Sequence, residues 1–239
     1  MKAILLAAGL GTRLRPVTDT IPKCLIPIQG RPLLDYWLQL LFEQGIEEVL
    51  INTHYLPEQI HDYVSKNKWT DKITLVHEEK LYGTGGTILN NSSFFDDEPI
   101  LVAHADNLTI FNVQDFAQKF NTRPTDVDIT MMTFMTDTPT TCGIVELDQN
   151  SIVQKFHEKV DNPPGNMANA AIYIFSPEVI HFMRSLNQST IDISTEIIPK
   201  FLGRMNTFQN NLYLRDIGSI KSLTAAENEI SIVSNFLNG

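Results

Sequence analysis

Residues 3–8 form an unbroken apolar run, Ala3-Ile4-Leu5-Leu6-Ala7-Ala8, which stops at Gly9-Leu10-Gly11-Thr12-Arg13. A short run with no polar alternation predicts a central parallel strand covered on both faces, here spanning Lys2 to Ala8. Met1-Lys2 ahead of it imitates the opening of a secretory leader. Six apolar residues that run straight into glycines and an arginine instead fit a buried first strand. No stretch of the chain approaches the roughly 20 apolar residues of a membrane-spanning helix.

The pattern downstream alternates. A polar loop carrying Pro16, Pro22 and Pro27 leads to a predicted helix over 32–44, with Leu33, Leu34, Trp37, Leu40 and Leu41 at helical spacing and Gly45 as its stop. Strands are predicted over 49–52, 73–77 and 99–103, and a helix over 57–65 opened by Pro57. Strand-helix-strand repetition with short links predicts a parallel sheet flanked by helices, with ligands beyond the carboxyl ends of its strands. The Gly9 loop and Asp106 both fall at such ends. Strands are also predicted over 129–134, 144–147, 153–158 and 171–175, and helices over 177–186 and 220–236, so the second half is richer in strand.

The chain of 239 residues is 43% hydrophobic and 19% charged, which excludes a disordered or fibrous class. Its net charge of -10 opposes a general nucleic-acid or anionic-membrane surface, yet permits a small anionic ligand where basic residues cluster. Two cysteines, Cys24 and Cys142, provide no disulfide framework and suit a cytoplasmic protein.

The first loop is the strongest candidate for such a cluster. Glycines let backbone N–H groups approach a phosphate, and Arg13 and Lys23 can neutralise it. It is neither of the two common phosphate loops. Leu14 stands at the third glycine of G-x-G-x-x-G, no acidic residue closes the second strand at Asn52-Thr53, and G-x-x-x-x-G-K-[ST] is absent.

Leu6-Ala7-Ala8-Gly9-x-Gly11-Thr12-Arg13-Leu14-x-Pro16-x-Thr18, followed by Pro22-Lys23-x-Leu25-x-Pro27 and Gly30-x-Pro32-Leu33-Leu34, resembles the N-terminal signature of the sugar-phosphate nucleotidylyltransferases. That resemblance implies an α/β, Rossmann-like GT-A-type nucleotidyltransferase fold. A mixed, mostly parallel central sheet would be flanked by helices, beside a small β-rich sugar-binding region. It implies a single domain over 1–239, with a nucleotide-binding half of about 1–110 and a sugar-binding half of about 111–239. On that expectation the length leaves little room for the C-terminal β-helix or acyltransferase domain that some relatives carry. The implied reaction joins a nucleoside triphosphate to a sugar 1-phosphate and releases pyrophosphate.

Such chemistry suits the residue types. A sugar 1-phosphate oxygen is already nucleophilic near neutral pH, so catalysis reduces to alignment and charge neutralisation. Two phosphoryl groups about 4 Å apart repel by several kcal/mol at surface-like dielectric. The site should then hold Arg, Lys and carboxylates for Mg²⁺, and no Ser-His-Asp or Cys-His arrangement. By resemblance Arg13, Lys23 and Asp106 are catalytic. Leu6, Ala8, Gly9, Gly11, Thr12, Arg13, Glu78, Gly83 and Thr84 bind the nucleotide. Asp106 and Asp216 hold Mg²⁺. Read alone, each of those two carboxylates has a helix N-cap as its alternative, and metal binding is the preferred reading for both.

Glu78-Glu79-Lys80-Leu81-Tyr82-Gly83-Thr84-Gly85-Gly86 resembles the family's loop against base and sugar, and its Gly-Thr-Gly-Gly looks most like guanylyltransferases acting on mannose- or heptose-type 1-phosphates. Asn107, Gly143, Glu158, Lys159 and Asn169 are the implied sugar-phosphate residues. The positions where the chain departs from the family pattern include Ala105, Val160, Ala171 and Ile220. A uridylyl- or cytidylyltransferase for an amino-sugar 1-phosphate or phosphocholine is the alternative within the fold. A non-catalytic nucleotide-sugar sensor is the alternative outside that chemistry. The expected partners are the two substrates alone, with no nucleic acid or membrane, in a monomer or homodimer.

Overall fold

A computed structural model describes residues 1–238. The chain divides into two compact units. The first holds Met1–Leu81, Ala103–Val113 and the segment from Leu212 onward; the second holds Tyr82–Val102 and Gln114–Asn211. In chain order the elements are β1 (Lys2–Leu6), β2 (Pro27–Ile28), β3 (Arg31–Pro32), α1 (Leu33–Glu43), β4 (Val49–Thr53), α2 (Pro57–Ser65), β5 (Ile73–His77), α3 (Gly83–Asn90), β6 (Ile100–His104), β7 (Asn107–Ile110), α4 (Val113–Asn121), β8 (Ile129–Met135), β9 (Gly143–Leu147), β10 (Val153–Glu158), β11 (Met167–Phe175), α5 (Pro177–Ser185), β12 (Met205–Gln209), β13 (Tyr213–Asp216) and α6 (Ile220–Asn238).

In the first unit β1, β4 and β5 are parallel, with Leu5 opposite Ile51 and Ile51 opposite Leu75. Residues 3–5 of β1 are fully buried, as a strand covered on both faces must be. The predicted strand to Ala8 stops at Leu6. The Ala7 N–H leaves the ladder and donates to the Asn52 side chain at 2.7 Å. β7 and β13 form a separate antiparallel pair in which Asp216 lies opposite Asn107.

The second unit is mixed. β12 runs parallel to β8, while β8–β11 and β9–β10 are antiparallel. The α/β architecture expected from the sequence, parallel strands behind the first loop and a β-rich remainder, is the one the chain adopts.

One core cluster of the first unit explains how its loops are held. Leu14, Ile26, Leu108 and Ile217 are all fully or almost fully buried in it, with Leu33, Tyr36 and Val233. Burying a Leu or Ile side chain contributes about 1.5–3 kcal/mol. Each of these four anchors follows a charged residue by three positions or fewer: Leu14 after Arg13, Ile26 after Lys23, Leu108 after Asp106 and Ile217 after Asp216. Apolar burial thus fixes the backbone from which the charges project.

Candidate active site

The loop after β1 turns through Gly11, whose backbone is left-handed (φ 63°). A Cβ there would stand 2.9 Å from the Thr18 methyl, and the Thr18 hydroxyl donates to the Gly11 carbonyl at 2.8 Å. Glycine is therefore required by both conformation and packing. Gly9 differs, because a Cβ there would meet nothing of the protein within 4 Å.

Arg13 and Lys23 reach the same place from two short 3₁₀ turns, Thr12–Leu14 and Lys23–Leu25. A recess of about 120 Å³ is lined by Gly9, Gly11, Thr12, Arg13, Leu14, Lys23, Asp106 and Gly218. The Lys23 side chain is only 8% exposed, and its Nζ donates to Asp106 Oδ2 at 2.7 Å. The same nitrogen is 3.5 Å from Asp216 Oδ1. Arg13 is exposed, with Nη2 3.9 Å from Asp216 Oδ2.

Burial pushes the Asp106 carboxyl up, but the Lys23 ammonium and His104 outweigh it and hold the group below the usual aspartate range. Gly218 makes room for this cluster. A Cβ there would stand 2.5 Å from Asp216 Oδ2 and 3.2 Å from the Arg13 guanidinium carbon.

The β7–β13 pair brings the two carboxylates together. β7 begins directly after Asp106, β13 ends on Asp216, and the Ile217 N–H donates to the Asp106 carbonyl at 3.2 Å. The helix-cap alternative therefore fails for both. A strand follows Asp106. Ser219 caps α6, exchanging bonds with Ser222 through Ser219 N to Ser222 Oγ at 3.0 Å and Ser222 N to Ser219 Oγ at 3.1 Å.

At the end of β4, Asn52 is buried among apolar strand residues. Its Oδ1 accepts the Ala7 N–H at 2.7 Å, and its Nδ2 donates to Glu78 Oε1 at 3.1 Å. Glu78 is 3% exposed and its N–H donates to the Thr53 carbonyl at 2.8 Å. Leu6 accepts Ala105 N–H at 3.0 Å, Ala8 is buried, and the Asn107 carbonyl accepts the Trp37 indole N–H at 2.8 Å. Sequence reading passed over Asn52. Its one visible signal was an asparagine inside an otherwise apolar strand.

In the second unit the Gly-Thr-Gly-Gly stretch opens α3 at Gly83. Its glycines face a neighbouring segment. Gly85 and Gly86 N–H groups both donate to the Ile191 carbonyl, at 2.8 and 3.2 Å. A Cβ on Gly83 would stand 2.5 Å from that carbonyl oxygen, and one on Gly86 2.7 Å from the Ser189 carbonyl. The Thr84 hydroxyl accepts Ile193 N–H at 2.8 Å and donates to Asp192 at 3.3 Å. These glycines accommodate residues 189–193, a segment the sequence reading did not single out.

Gly143 and Glu158 are opposite each other in the β9–β10 pair, and a Cβ on Gly143 would run into the Phe156 ring and the Glu158 carboxylate. Lys159 is left-handed (φ 49°), exposed, and paired with Glu158 at 3.0 Å. Asn169 builds a bulge in β11. Its Oδ1 accepts Ala171 N–H at 2.9 Å, its Nδ2 donates to the Tyr173 hydroxyl at 2.7 Å, and Ala171 is left-handed (φ 55°).

Within the first unit, then, Gly9, Gly11, Thr12, Arg13, Lys23 and Asp106 line one recess, Asp216 stands within 4 Å of Lys23 and Arg13, and Glu78 joins the loop through Asn52. Within the second, Gly143, Glu158 and Lys159 converge on one hairpin. Gly83 and Thr84 stand against residues 191–193. Among the described residues no group of three or more His, Cys, Asp or Glu is placed to hold a metal ion, and no helix is long and apolar enough to cross a membrane.

Comparison with known proteins gives consistent matches. A family model described as nucleotidyl transferase matches residues 2–232. A UTP–glucose-1-phosphate uridylyltransferase of Synechocystis sp. is 29% identical over 84% of this chain and 55% of its own. A mannose-1-phosphate guanylyltransferase of Mycobacterium tuberculosis is 30% identical over 91% of this chain and 61% of its own. The chain thus spans little more than half the length of these curated relatives. HddC from Yersinia pseudotuberculosis, solved in complex with GMP-PN, has the same fold. Its TM-score is 0.79 at 24% identity, covering 96% of this chain and 99% of that one.

Proposed function

The chain belongs to the nucleotidyl transferase family, and from that premise we propose that it makes a nucleotide sugar from a nucleoside triphosphate and a sugar 1-phosphate. A sugar-phosphate oxygen attacks the α-phosphorus, a new P–O bond forms, and the bond to the bridging oxygen of the leaving pyrophosphate breaks. The observation that carries this reading is the placement of Lys23, Arg13, Asp106 and Asp216 around one recess beside two glycines.

We assign each residue a role, the Thr84 hydroxyl being already taken by Ile193 and Asp192. Gly9 and Gly11 give the phosphates close access to the backbone, with Leu6, Ala8 and Thr12 shaping the same loop. Arg13, exposed at the recess, holds the departing pyrophosphate. Lys23 neutralises the reacting phosphates. Asn107, Gly143, Glu158, Lys159 and Asn169 serve the sugar phosphate, and Gly83 and Thr84 the nucleotide. The donor set fits Mg²⁺, since hard carboxylate oxygens of Asp106 and Asp216 already converge on one cationic nitrogen. When bound, Mg²⁺ neutralises charge on phosphate oxygens.

Guanine is the base we favour. Asn52 spends its oxygen on Ala7 and can only donate to Glu78, so it requires a Glu78 oxygen that accepts. A carboxylate held as acceptor complements the adjacent N–H donors of guanine and opposes the carbonyl oxygens that flank the N–H of uracil. The mannose-1-phosphate guanylyltransferase relative supports the same choice. A mannose- or heptose-type 1-phosphate is the corresponding acceptor, and the cytoplasm the corresponding place.

Pyrophosphate release, measured with each nucleoside triphosphate against a panel of sugar 1-phosphates and Mg²⁺, tests all of this. Turnover best with GTP is expected. Release with none of the pairs rejects the reaction, and turnover best with UTP or CTP rejects the base assignment alone.

A further inference from the structure

Lys23 holds a position that a divalent cation would need. Its Nζ lies 2.7 Å from Asp106 Oδ2 and 3.5 Å from Asp216 Oδ1. The nitrogen therefore bridges the two carboxylates to which the proposed reaction gives the metal. Its side chain is almost fully buried, its backbone sits in a 3₁₀ turn whose Cys24 and Leu25 are buried, and Ile26 anchors the following residue in the core. The turn is fixed, and only the flexible four-carbon stem can move the charge.

We propose that Lys23 is the resident counter-ion of Asp106 and Asp216, and that a divalent cation enters the site only when the nucleotide's phosphates draw the Lys23 ammonium away. The inference rests on the reading of Asp106 and Asp216 given above. Its physical basis is charge placement. An ammonium and a dication cannot share the same two carboxylate oxygens at contact distance without strong like-charge repulsion. Arg13 adds a further positive group on the Asp216 side at 3.9 Å. A triphosphate tail offers Lys23 an alternative anionic partner, which frees Asp106 and Asp216 together. Metal and nucleotide binding are then linked, and each raises the affinity of the protein for the other.

The test uses Mn²⁺ as the probe, by loss of its free electron-paramagnetic signal, on nucleotide-free protein. The wild type is expected to bind Mn²⁺ only at millimolar concentrations. Lys23→Gln, which removes the charge, should bind it at least tenfold tighter, on the order of the coupling that linked sites show. Lys23→Arg, which keeps the charge, should stay as weak as the wild type. Adding Asp106→Asn to Lys23→Gln should abolish the gain. A thermal melt of the wild type without nucleotide gives a second readout that needs no variant, and Mn²⁺ at about 0.05 mM, well below the expected millimolar range, should leave its Tm unchanged.

Tight Mn²⁺ binding by nucleotide-free wild type, a clear rise of its Tm with Mn²⁺, or a folded Lys23→Gln that binds no tighter would each overturn the proposal. Absence of pyrophosphate release from the wild type would instead reject the reaction, and the metal titration would still decide the role of Lys23.

Discussion

Asn52 ties Ala7 to Glu78. One carboxamide takes the N–H at the start of the glycine loop on its oxygen and donates its nitrogen to the carboxylate that follows β5. The two elements are joined by one buried side chain, so its polarity matters as much as its size. Asn52→Leu should cost about 1–3 kcal/mol of stability in a denaturant titration, the usual cost of stranding buried polar partners. Asn52→Asp keeps an acceptor for Ala7 but sets a second carboxylate against Glu78. If Glu78 reads the base, KM for GTP should rise about tenfold in that variant with kcat less affected, and preference over UTP should fall. An unchanged GTP-to-UTP ratio in a folded variant would reduce Asn52 to a structural brace.

The clamp between α3 and residues 191–193 predicts a different kind of loss. The Thr84 hydroxyl both accepts from Ile193 and donates to Asp192. Thr84→Val strands that N–H and should destabilise the protein by about 1–3 kcal/mol, while Thr84→Ser should fall within about 0.5 kcal/mol of wild type. Equal losses in the two variants would mean that the methyl, and not the hydroxyl, holds the clamp.

Ala171 sits in a left-handed conformation at a position where the family pattern has glycine. An alanine there carries about 1–2 kcal/mol of strain, partly offset by the greater chain entropy of unfolded glycine. Ala171→Gly should therefore stabilise the protein by about 0.5–1 kcal/mol, read as a higher denaturation midpoint at unchanged slope. A lower midpoint would show that the bulge is not strained.

The strand that carries Asp216 is secured by charge. Arg215 donates to both oxygens of Glu229, at 2.8 and 2.7 Å, and the Tyr213 hydroxyl adds a third bond at 2.9 Å. The guanidinium hydrogen bonds hold the Glu229 carboxyl below its ordinary value of 4.5, whereas burial and Glu229 push Tyr213 up to about 12. A carboxyl with a depressed folded pKa stabilises fully above its unfolded value and loses that contribution as pH falls through the folded one. Glu229→Gln should thus cost about 0.5–1 kcal/mol at pH 7, a modest figure for a partly exposed pair. The gap between variant and wild type should narrow below pH 4.5 and close at lower pH. A gap that is independent of pH would assign the effect to packing.

Much of the fold was legible because burial imposes simple patterns. The ends of α2, β5 and β10 match the sequence reading, since Pro57 opens the helix and alternation or apolar runs bound the strands. β7 and β13 were missed. They are four residues each, and although Asn107-Leu108-Thr109-Ile110 alternates, with Leu108 and Ile110 in the core cluster, four residues are too few to stand out from a loop. α4 was missed although it is amphipathic, with Phe116 and Phe120 buried and polar residues between.

At the site, Arg13 and Lys23 could be read because charge in a glycine-bearing strand-end loop is chemically conspicuous, and Asp106 because it closes a strand and resembles the family's acidic position. Asn52 and Asp192 could not. Their meaning lies in partners distant in sequence, and a lone Asn or Asp carries no mark of what it will touch. The glycines of 83–86 show the same limit from the other side. Glycine signals a close approach, but the neighbour, here Ile191 and Ser189, is visible only once the chain has folded.

The β7–β13 pairing also orders events during synthesis. Gly9, Gly11, Arg13, Lys23 and Asp106 all leave the ribosome well before Asp216, which arrives with the strand that must cross back to lie against Asn107. Until then Lys23 has a single carboxylate to face, and the recess lacks its second acid. The emerging protein thus cannot complete its carboxylate pair early, and the late strand acts as the final part fitted to an otherwise waiting site.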